Sequence, residues 1–198
     1  MLRDPSTEIS ELLDPGEKLL WSGVPRQGVF LRGSDILLIP FSLLWGGFAI
    51  FWEASVLVMV PRASSHGNAP PFFNYIFPLF GLPFVVIGLY LIFGRFFVDS
   101  AIRGRTVYAI TDRRIIIRSG LFSRSTKSLN LRTLSDVTLS EKDDGRGTIT
   151  LGPSVGIYSM FQGTSWPGMG RHAVPILDSI ADAKAAYEIL RRAQHTAG

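Results

Sequence analysis

Residues 36–94 carry only two charges, Glu53 and Arg62, although the 198-residue chain holds 36. The other 34 charges lie in the 35 residues before this stretch and the 104 residues after it. Ordinary soluble domains have about a quarter charged residues, spread over the surface. A run of 59 residues with two charges is typical of membrane-embedded segments, so a wholly soluble enzyme is not expected.

Residues 36–94 divide into two apolar spans, at about 36–60 and 72–94. Residues 36–52, the most apolar part of the first, would rise about 25 Å as a helix, against a hydrocarbon core of about 30 Å. The second span has no charge at all, and residues 61–71 between them, with three Pro and two Ser, have the pattern of a short polar turn. The sequence therefore predicts two transmembrane helices that form a hairpin.

Glu53 is the one acidic residue within this hydrophobic region. It could be an intramembrane carboxylate that moves protons or ions. Alternatively, the first helix ends near Trp52 and leaves Glu53 at the outer interface beside an aromatic anchor. We favour the second interpretation, because the spans offer no other ionisable group as a partner.

Basic residues flank the outer ends of the two spans rather than the turn between them. Because cytoplasmic loops carry an excess of Lys and Arg, this pattern predicts an integral protein of the cytoplasmic membrane with both termini in the cytoplasm. The first fifteen residues are acidic, and no signal peptide is expected. The turn contains Arg62 alone, whereas eight basic residues lie within twenty positions of the outer ends: Lys18, Arg26, Arg32, Arg95, Arg103, Arg105, Arg113 and Arg114.

Residues 95–198 have the pattern of a small β domain closed by one helix. Residues 107–111 and 114–118 are rich in β-branched residues, and the Asp-Arg pair between them predicts a hairpin. A C-terminal amphipathic helix is predicted at 179–194, with Ser179 and Asp182 as a capping pair. Further strands are predicted at 123–131, 135–140, 148–151, near 157–161 and at 172–176.

Several short motifs lie in this part of the chain: YAITDRRIII at 108–117, GLFSR at 120–124, LNL at 129–131, SDV at 135–137 and GRGTI at 145–149. Together they resemble the bacterial pleckstrin-homology (PH) domain of small membrane proteins. The opening DPGEKLLWSGVP at 14–25 resembles the segment that precedes the helical hairpin in such proteins. The resemblance implies an α+β membrane protein, in which a two-helix hairpin precedes a PH-like seven-stranded β barrel or sandwich with a C-terminal helix.

This layout predicts a cytoplasmic N-terminal segment at 1–35, the hairpin at 36–94 and a cytoplasmic PH-like domain at 95–198. The fold implied by the resemblance hosts binding rather than catalysis, and no catalytic residue is expected. The chain has no Cys and three scattered His, so no metal or other cofactor is expected. The function predicted is a protein-interaction or assembly module at the bacterial inner membrane, with protein partners or self-association.

A basic stretch at 95–132 suggests an alternative function. Nine basic residues face only Asp99 and Asp112 there, beside a membrane surface that is anionic. Strand alternation places Arg114 and Arg118 on one face, with Ile116, and leaves two isoleucines for the core. The alternative is therefore a sensor or binder of anionic lipid headgroups, and the candidate contacts are Arg113, Arg114, Arg118, Arg124 and Lys127. Nucleic acid is not an expected partner, because the domain is tethered to a membrane and lacks a recognition helix.

Residues 152–156, GPSVG, fit the nucleophile-elbow pattern of hydrolases. That chemistry needs a strand-to-helix turn and an Asp followed by a His, but the next residues are β-like and His172 precedes Asp178. A serine hydrolase that uses Ser154 is therefore a minor alternative. A loop with glycines at its turns explains the motif better, and the role of residues 152–171 stays open.

Overall fold

The computed structural model describes residues 5–29, 31, 35–65, 67, 70, 72–121, 123–142, 144–153 and 174–197, with the backbone alone at 60–65. The chain forms two compact units. One is helical and comprises residues 30–97. The other contains the sheets and combines residues 1–29 with residues 98–198.

The helical unit contains both predicted apolar helices. Helix α2 is Asp35–Ser65, and α3, Phe73–Leu89, continues through a π-helical turn, Tyr90–Gly94, into α4, Arg95–Arg103. The helices extend beyond the predicted ends, because composition sets where a helix meets water and not where its backbone hydrogen bonds stop. The expectation that the first helix ends near Trp52 is wrong, since no capping or breaking signal follows that residue before Pro61.

Helices α2 and α3 pack closely at glycines. A Cβ atom on Gly88 would lie 2.8 Å from the Cα atom of Gly46, so the two backbones are in direct contact there. Small residues allow this approach, which is common between helices in membranes. Large apolar side chains point outward instead, with Leu44 74% and Phe51 70% exposed.

The second unit begins with a short helix, α1, Pro5–Ser10, and ends with α5, Ala183–Ala197. A 3₁₀ turn, Leu131–Thr133, leads from its first sheet toward its second. All neighbouring strands are antiparallel. Within the described residues the seven strands form two sheets and not a closed barrel. The first sheet has the order β1 (Leu19–Gly23), β2 (Val107–Thr111), β3 (Arg114–Ser119), β4 (Ser125–Asn130), and the second has β5 (Val137–Glu141), β6 (Gly147–Leu151), β7 (Ile176–Ile180).

The predicted hairpin at Asp112-Arg113 is confirmed, with Ala109 of β2 opposite Ile116 of β3. Strand β1 was not predicted. It comes from the N-terminal segment and pairs along β2, with Ser22 opposite Ala109. Its sequence, LLWSG, is too short and too irregular for a period of two to be recognised.

The C-terminal boundaries differ from those predicted. The last strand is Ile176–Ile180 rather than residues 172–176, and the helix begins at Ala183 rather than at 179. Ser179 lies in the strand with a φ of 46°, and Asp182 has a φ of 49°, so the two do not form the predicted capping pair. The carbonyl of Asp182 accepts the first helical bond, from the amide of Ala186. The strand predicted near 157–161 lies outside the described residues.

Two apolar clusters cover opposite faces of the first sheet. The main core lies between the two sheets and α5, and includes Ile110, Ile115, Ile149 and Leu190. The second cluster lies on the outer face, where Ile9 of α1 is fully buried. Since α1 covers that face, β2 is buried along its whole length, on both sides of the sheet. The second cluster comprises Ile9, Val107, Ala109 and Ile116, with Leu12, Leu13 and Leu19 against it.

Candidate interaction surface

The basic stretch does not form one continuous cationic surface. Within the described residues, at least five of its nine basic residues pair with carboxylates. Arg95 pairs with Asp35 in the helical unit, and Arg103 pairs with Asp99 in the sheet unit. The other three are the predicted lipid contacts Arg114, Arg118 and Arg124, and each meets an acidic residue of the N-terminal segment.

Arg114 is at the centre of the most extensive of these contacts. Its Nε donates to Oε1 of Glu17 at 2.9 Å, and its Nη2 donates to Oε2 of the same carboxylate at 2.8 Å. Nη2 also lies 3.0 Å from Oδ2 of Asp14 and 3.2 Å from the carbonyl oxygen of Leu12. This two-pronged geometry is the strongest that an arginine forms with a carboxylate.

The Glu17 carboxylate is fully buried and fully hydrogen-bonded. The Thr111 hydroxyl donates to Oε1 at 2.7 Å, and the amide of Asp14 donates to Oε2 at 2.8 Å. Hydrogen bonds from Arg114, with smaller contributions from these two donors, outweigh burial and lower the pKa of Glu17 from 4.5 to about 2. The same contact raises the pKa of Arg114 above its ordinary value.

The lowered pKa of Glu17 predicts how stability depends on pH. A depressed carboxyl pKa contributes stability that is complete above 4.5 and is lost as the pH falls toward about 2. At about 1.4 kcal/mol per pKa unit, the contribution is on the order of 3 kcal/mol. Urea unfolding of the full chain in detergent should therefore show a lower midpoint at about pH 3 than at about pH 6. In a Glu17→Gln variant this difference should shrink, and an unchanged difference would contradict the assignment.

Arg118 and Arg124 share a second acidic residue, Glu8 of α1. The Glu8 carboxylate lies 3.6 Å from Nε of Arg118 and 3.4 Å from Nη1 of Arg124. Nη1 of Arg118 also donates to the Glu8 carbonyl oxygen at 3.3 Å. Together with the buried Ile9 side chain, these contacts hold α1 against the outer face of the first sheet.

The remaining two predicted contacts lie at separate places on the first sheet. Arg113 is at the turn between β2 and β3, where its side chain is exposed. Lys127 is exposed on β4, opposite Ile117. The five residues therefore do not converge on one described site, and their contact with lipid stays a prediction.

Sequence reasoning missed the acidic partners, Glu8, Asp14 and Glu17. A signal was present in the charge distribution, because residues 1–35 have a net charge of −2 and residues 95–198 a net charge of +6. Opposite net charges do not show which residues pair. Residues 17 and 114 are 97 positions apart, and only the fold brings them together.

Glu53 lies inside α2 and faces α3, rather than at a helix end. Its carboxyl packs on Gly81, where any side chain would overlap Oε2. That oxygen is buried and has no hydrogen-bond partner among the described residues.

Ser154 and most of the 152–171 segment lie outside the described residues. The part of the chain that is described contains no group of three residues suited to hold a metal ion.

Two antiparallel sheets closed by a C-terminal helix, joined in one chain to two long apolar helices, are consistent with a PH-like fold. The chain belongs to the bacterial PH domain family, whose model matches residues 54–194. This match confirms the resemblance inferred from the sequence motifs. No curated protein matches the chain, and no solved structure does. PH domains are generally non-catalytic, and they commonly bind lipids or proteins.

Proposed function

We propose that the protein is a non-enzymatic, membrane-anchored assembly module of the bacterial inner membrane, with its PH domain in the cytoplasm. The observation that carries the proposal is the pairing of Arg114, Arg118 and Arg124 with the N-terminal segment. These guanidinium groups are engaged by carboxylates of the same chain, which leaves fewer cations for lipid headgroups. A protein partner, or a second copy of the chain, is therefore favoured over a headgroup as the main ligand.

The length and exposure of the helices support anchoring in a membrane. Asp35–Met59 and Phe73–Arg103 are long and apolar enough to cross a bilayer. In the most apolar 18-residue stretch of each helix, only 22% and 17% of the residues are buried within the structure. The core helix of a soluble protein would be mostly buried. Aromatic and aliphatic side chains exposed along such helices are stable in lipid and would be unfavourable in water.

The proposed orientation predicts the behaviour of topology reporters. A reporter fused after Gly198 should behave as cytoplasmic, and one inserted at Gly67 as periplasmic, because eight flanking basic residues oppose one in the turn. The two fusions serve as controls for each other when both are expressed at the same level. Periplasmic activity of the C-terminal fusion would contradict the proposed orientation.

Site-specific photocrosslinking in native membranes tests the assembly function. A benzoylphenylalanine at Thr126 would place the probe on β4, the exposed edge strand of the first sheet. The same probe at Lys184, exposed on α5, is the control. The proposal expects a discrete adduct with a protein, or with a second copy of the chain, from Thr126 and not from Lys184. Adducts with lipid alone at both positions would contradict it.

Arg113 and Lys127 support the alternative, a sensor of anionic headgroups, because both side chains are exposed. That function predicts that β3 and β4 exchange amide hydrogens more slowly in nanodiscs containing phosphatidylglycerol than in nanodiscs of phosphatidylcholine. The difference should decrease with salt, because exposed charges are screened over about 8 Å at physiological ionic strength. An Arg113→Gln/Lys127→Gln variant should lose the difference, and a Lys184→Gln control should keep it. Equal rates of amide exchange in both kinds of nanodisc would contradict the headgroup sensor, and the assembly function would then be the one proposal left.

A further inference from the structure

Arg95 occupies a defined place at the base of the helical unit. It is the first residue of α4 and follows directly on the uncharged run that ends at Gly94. Its Nη1 lies 2.9 Å from Oδ1 of Asp35, the first residue of α2. Both side chains are largely buried, with 14% of Arg95 and 9% of Asp35 exposed. The ion pair therefore joins the two ends of the hairpin and fixes the orientation of the guanidinium group.

The other edge of that guanidinium group is unused. Nε and Nη2 of Arg95 are buried and have no hydrogen-bond partner among the described residues. These two nitrogens point their hydrogens in parallel along one edge, in the spacing that matches two oxygens of a carboxylate or a phosphate. A buried donor of a charged group that stays unpaired is costly, so the arrangement indicates a ligand with two acceptor oxygens.

The position of Arg95 indicates which oxyanion is available. Residues 73–94 are helical and uncharged and rise about 33 Å, close to the thickness of the hydrocarbon core. The residue that follows such a span reaches the level of the lipid phosphates. The ring of Phe96 lies 4.4 Å from the Arg95 guanidinium carbon and covers one of its faces, as an aromatic residue at an interface does.

We propose that the Nε–Nη2 edge of Arg95 binds a phosphate oxyanion, supplied by a phospholipid headgroup or by free phosphate. Because Asp35 already neutralises the guanidinium charge, recognition depends on the paired donors more than on net charge. A lysine at this position would keep the charge but could not present two parallel N–H groups. The lipid source rests on the membrane insertion proposed above, whereas the phosphate site does not.

The test uses the full chain, labelled with ¹⁵N-arginine and freed of phospholipid in dodecyl maltoside. The Nε–H resonance of Arg95, assigned from its loss in Arg95→Lys, is followed during three separate titrations. The added molecules are phosphatidylglycerol, inorganic phosphate and a diacylglycerol, which has the chains without the phosphate. Arg103 is an internal control, because its Nε already donates to the Arg26 carbonyl oxygen at 3.1 Å.

The proposal expects a saturable downfield displacement of the Arg95 resonance with phosphatidylglycerol, and none with diacylglycerol or at Arg103. Displacement by inorganic phosphate alone assigns the site to the free ion. A site for lipid also predicts that Arg95→Lys retains about tenfold less phospholipid through purification, the effect of losing one charged hydrogen bond. Arg105→Lys, which changes an exposed arginine, should retain as much as the wild type.

The proposal is overturned if neither phosphate source moves the Arg95 resonance, or if diacylglycerol moves it equally. If Arg95→Lys does not fold, Arg95→Gln provides the assignment of the resonance, and the titrations themselves are made on the wild-type chain. If the reporters at Gly67 and after Gly198 both behave as cytoplasmic while the resonance is displaced, membrane insertion is refuted and a site for free phosphate is left. The two proposals therefore fail in distinguishable ways.

Discussion

Replacing Glu17 with alanine is expected to lower the free energy of unfolding of the sheet unit by about 3–5 kcal/mol, the usual cost of breaking a buried ion pair. The substitution leaves the Arg114 guanidinium, whose side chain is only 24% exposed, without the carboxylate that accepts two of its hydrogen bonds. It also removes the acceptor for the Thr111 hydroxyl and the Asp14 amide. The measurement is urea unfolding of the full chain in detergent at neutral pH.

Glu11→Ala is the matched control, because Glu11 is an exposed acidic residue of the same N-terminal segment. It should change the free energy of unfolding by no more than about 0.5 kcal/mol. The double variant Glu17→Ala/Arg114→Ala should cost less than the sum of the single variants, since it removes both buried charges together. If Glu17→Ala matches Glu11→Ala, the network does not stabilise the sheet unit, and the low pKa of Glu17 would need another cause.

Sequence reasoning predicted the local pattern of the sheet unit well. The pattern of residues 107–118, two β-branched runs on either side of an Asp-Arg pair, identified β2, β3 and the turn between them. Alternation also placed Ile115 and Ile117 in the core, where they lie. The two long helices were equally visible, since 59 residues with two charges leave few other possibilities.

The same reasoning did not predict what covers the outer face of β3. Alternation placed Ile116 beside Arg114 and Arg118, on a face expected to meet solvent or lipid. In the structure Ile116 is 1% exposed, because Ile9 of α1 packs over it. This contact joins residues 107 positions apart, across the whole hairpin, and a period of two says nothing about what lies on the other side of a strand.

The second large effect concerns the N-terminal segment. Residues 98–198 produced alone should not fold cooperatively, whereas residues 1–29 joined to 98–198 by a short Gly-Ser linker should. Such a linker is feasible because residues 27 and 28 contact Arg103. Nε2 of Gln27 lies 3.2 Å from the Arg103 carbonyl oxygen, and Nη2 of Arg103 lies 2.6 Å from the Gly28 carbonyl oxygen. The two cut ends are therefore close in the folded unit. Near-UV circular dichroism and urea unfolding of the two proteins provide the comparison.

The expected difference follows from what residues 1–29 supply. They provide β1, the pairing partner of β2, and the apolar side chains that cover Ile116. Full burial of a side chain such as Ile9 contributes about 1.5–3 kcal/mol, and the Glu17 network adds about 3 kcal/mol. The leucines of the outer cluster add to these two contributions. The loss of stability therefore exceeds about 5 kcal/mol, which equals the whole stability of many small domains. Cooperative unfolding of 98–198 alone, at the midpoint of the linked protein, would contradict this reasoning.

The same comparison decides how vesicle binding of this domain is to be interpreted. Residues 98–198 alone are expected not to fold, and Arg114, Arg118 and Arg124 have lost the carboxylates of Glu8 and Glu17. The fragment should therefore bind anionic vesicles by charge, as an unfolded basic chain. In the linked protein those pairs are restored, while Arg113, Lys127 and the paired but 57% exposed Arg124 stay accessible at this sheet. We therefore expect the linked protein to bind vesicles of phosphatidylglycerol more weakly, by about 1 kcal/mol for each arginine that is neutralised. If both proteins bind equally, restoring the N-terminal carboxylates does not weaken the attraction of these arginines to the vesicles, and the lipid-sensing alternative regains its three strongest residues.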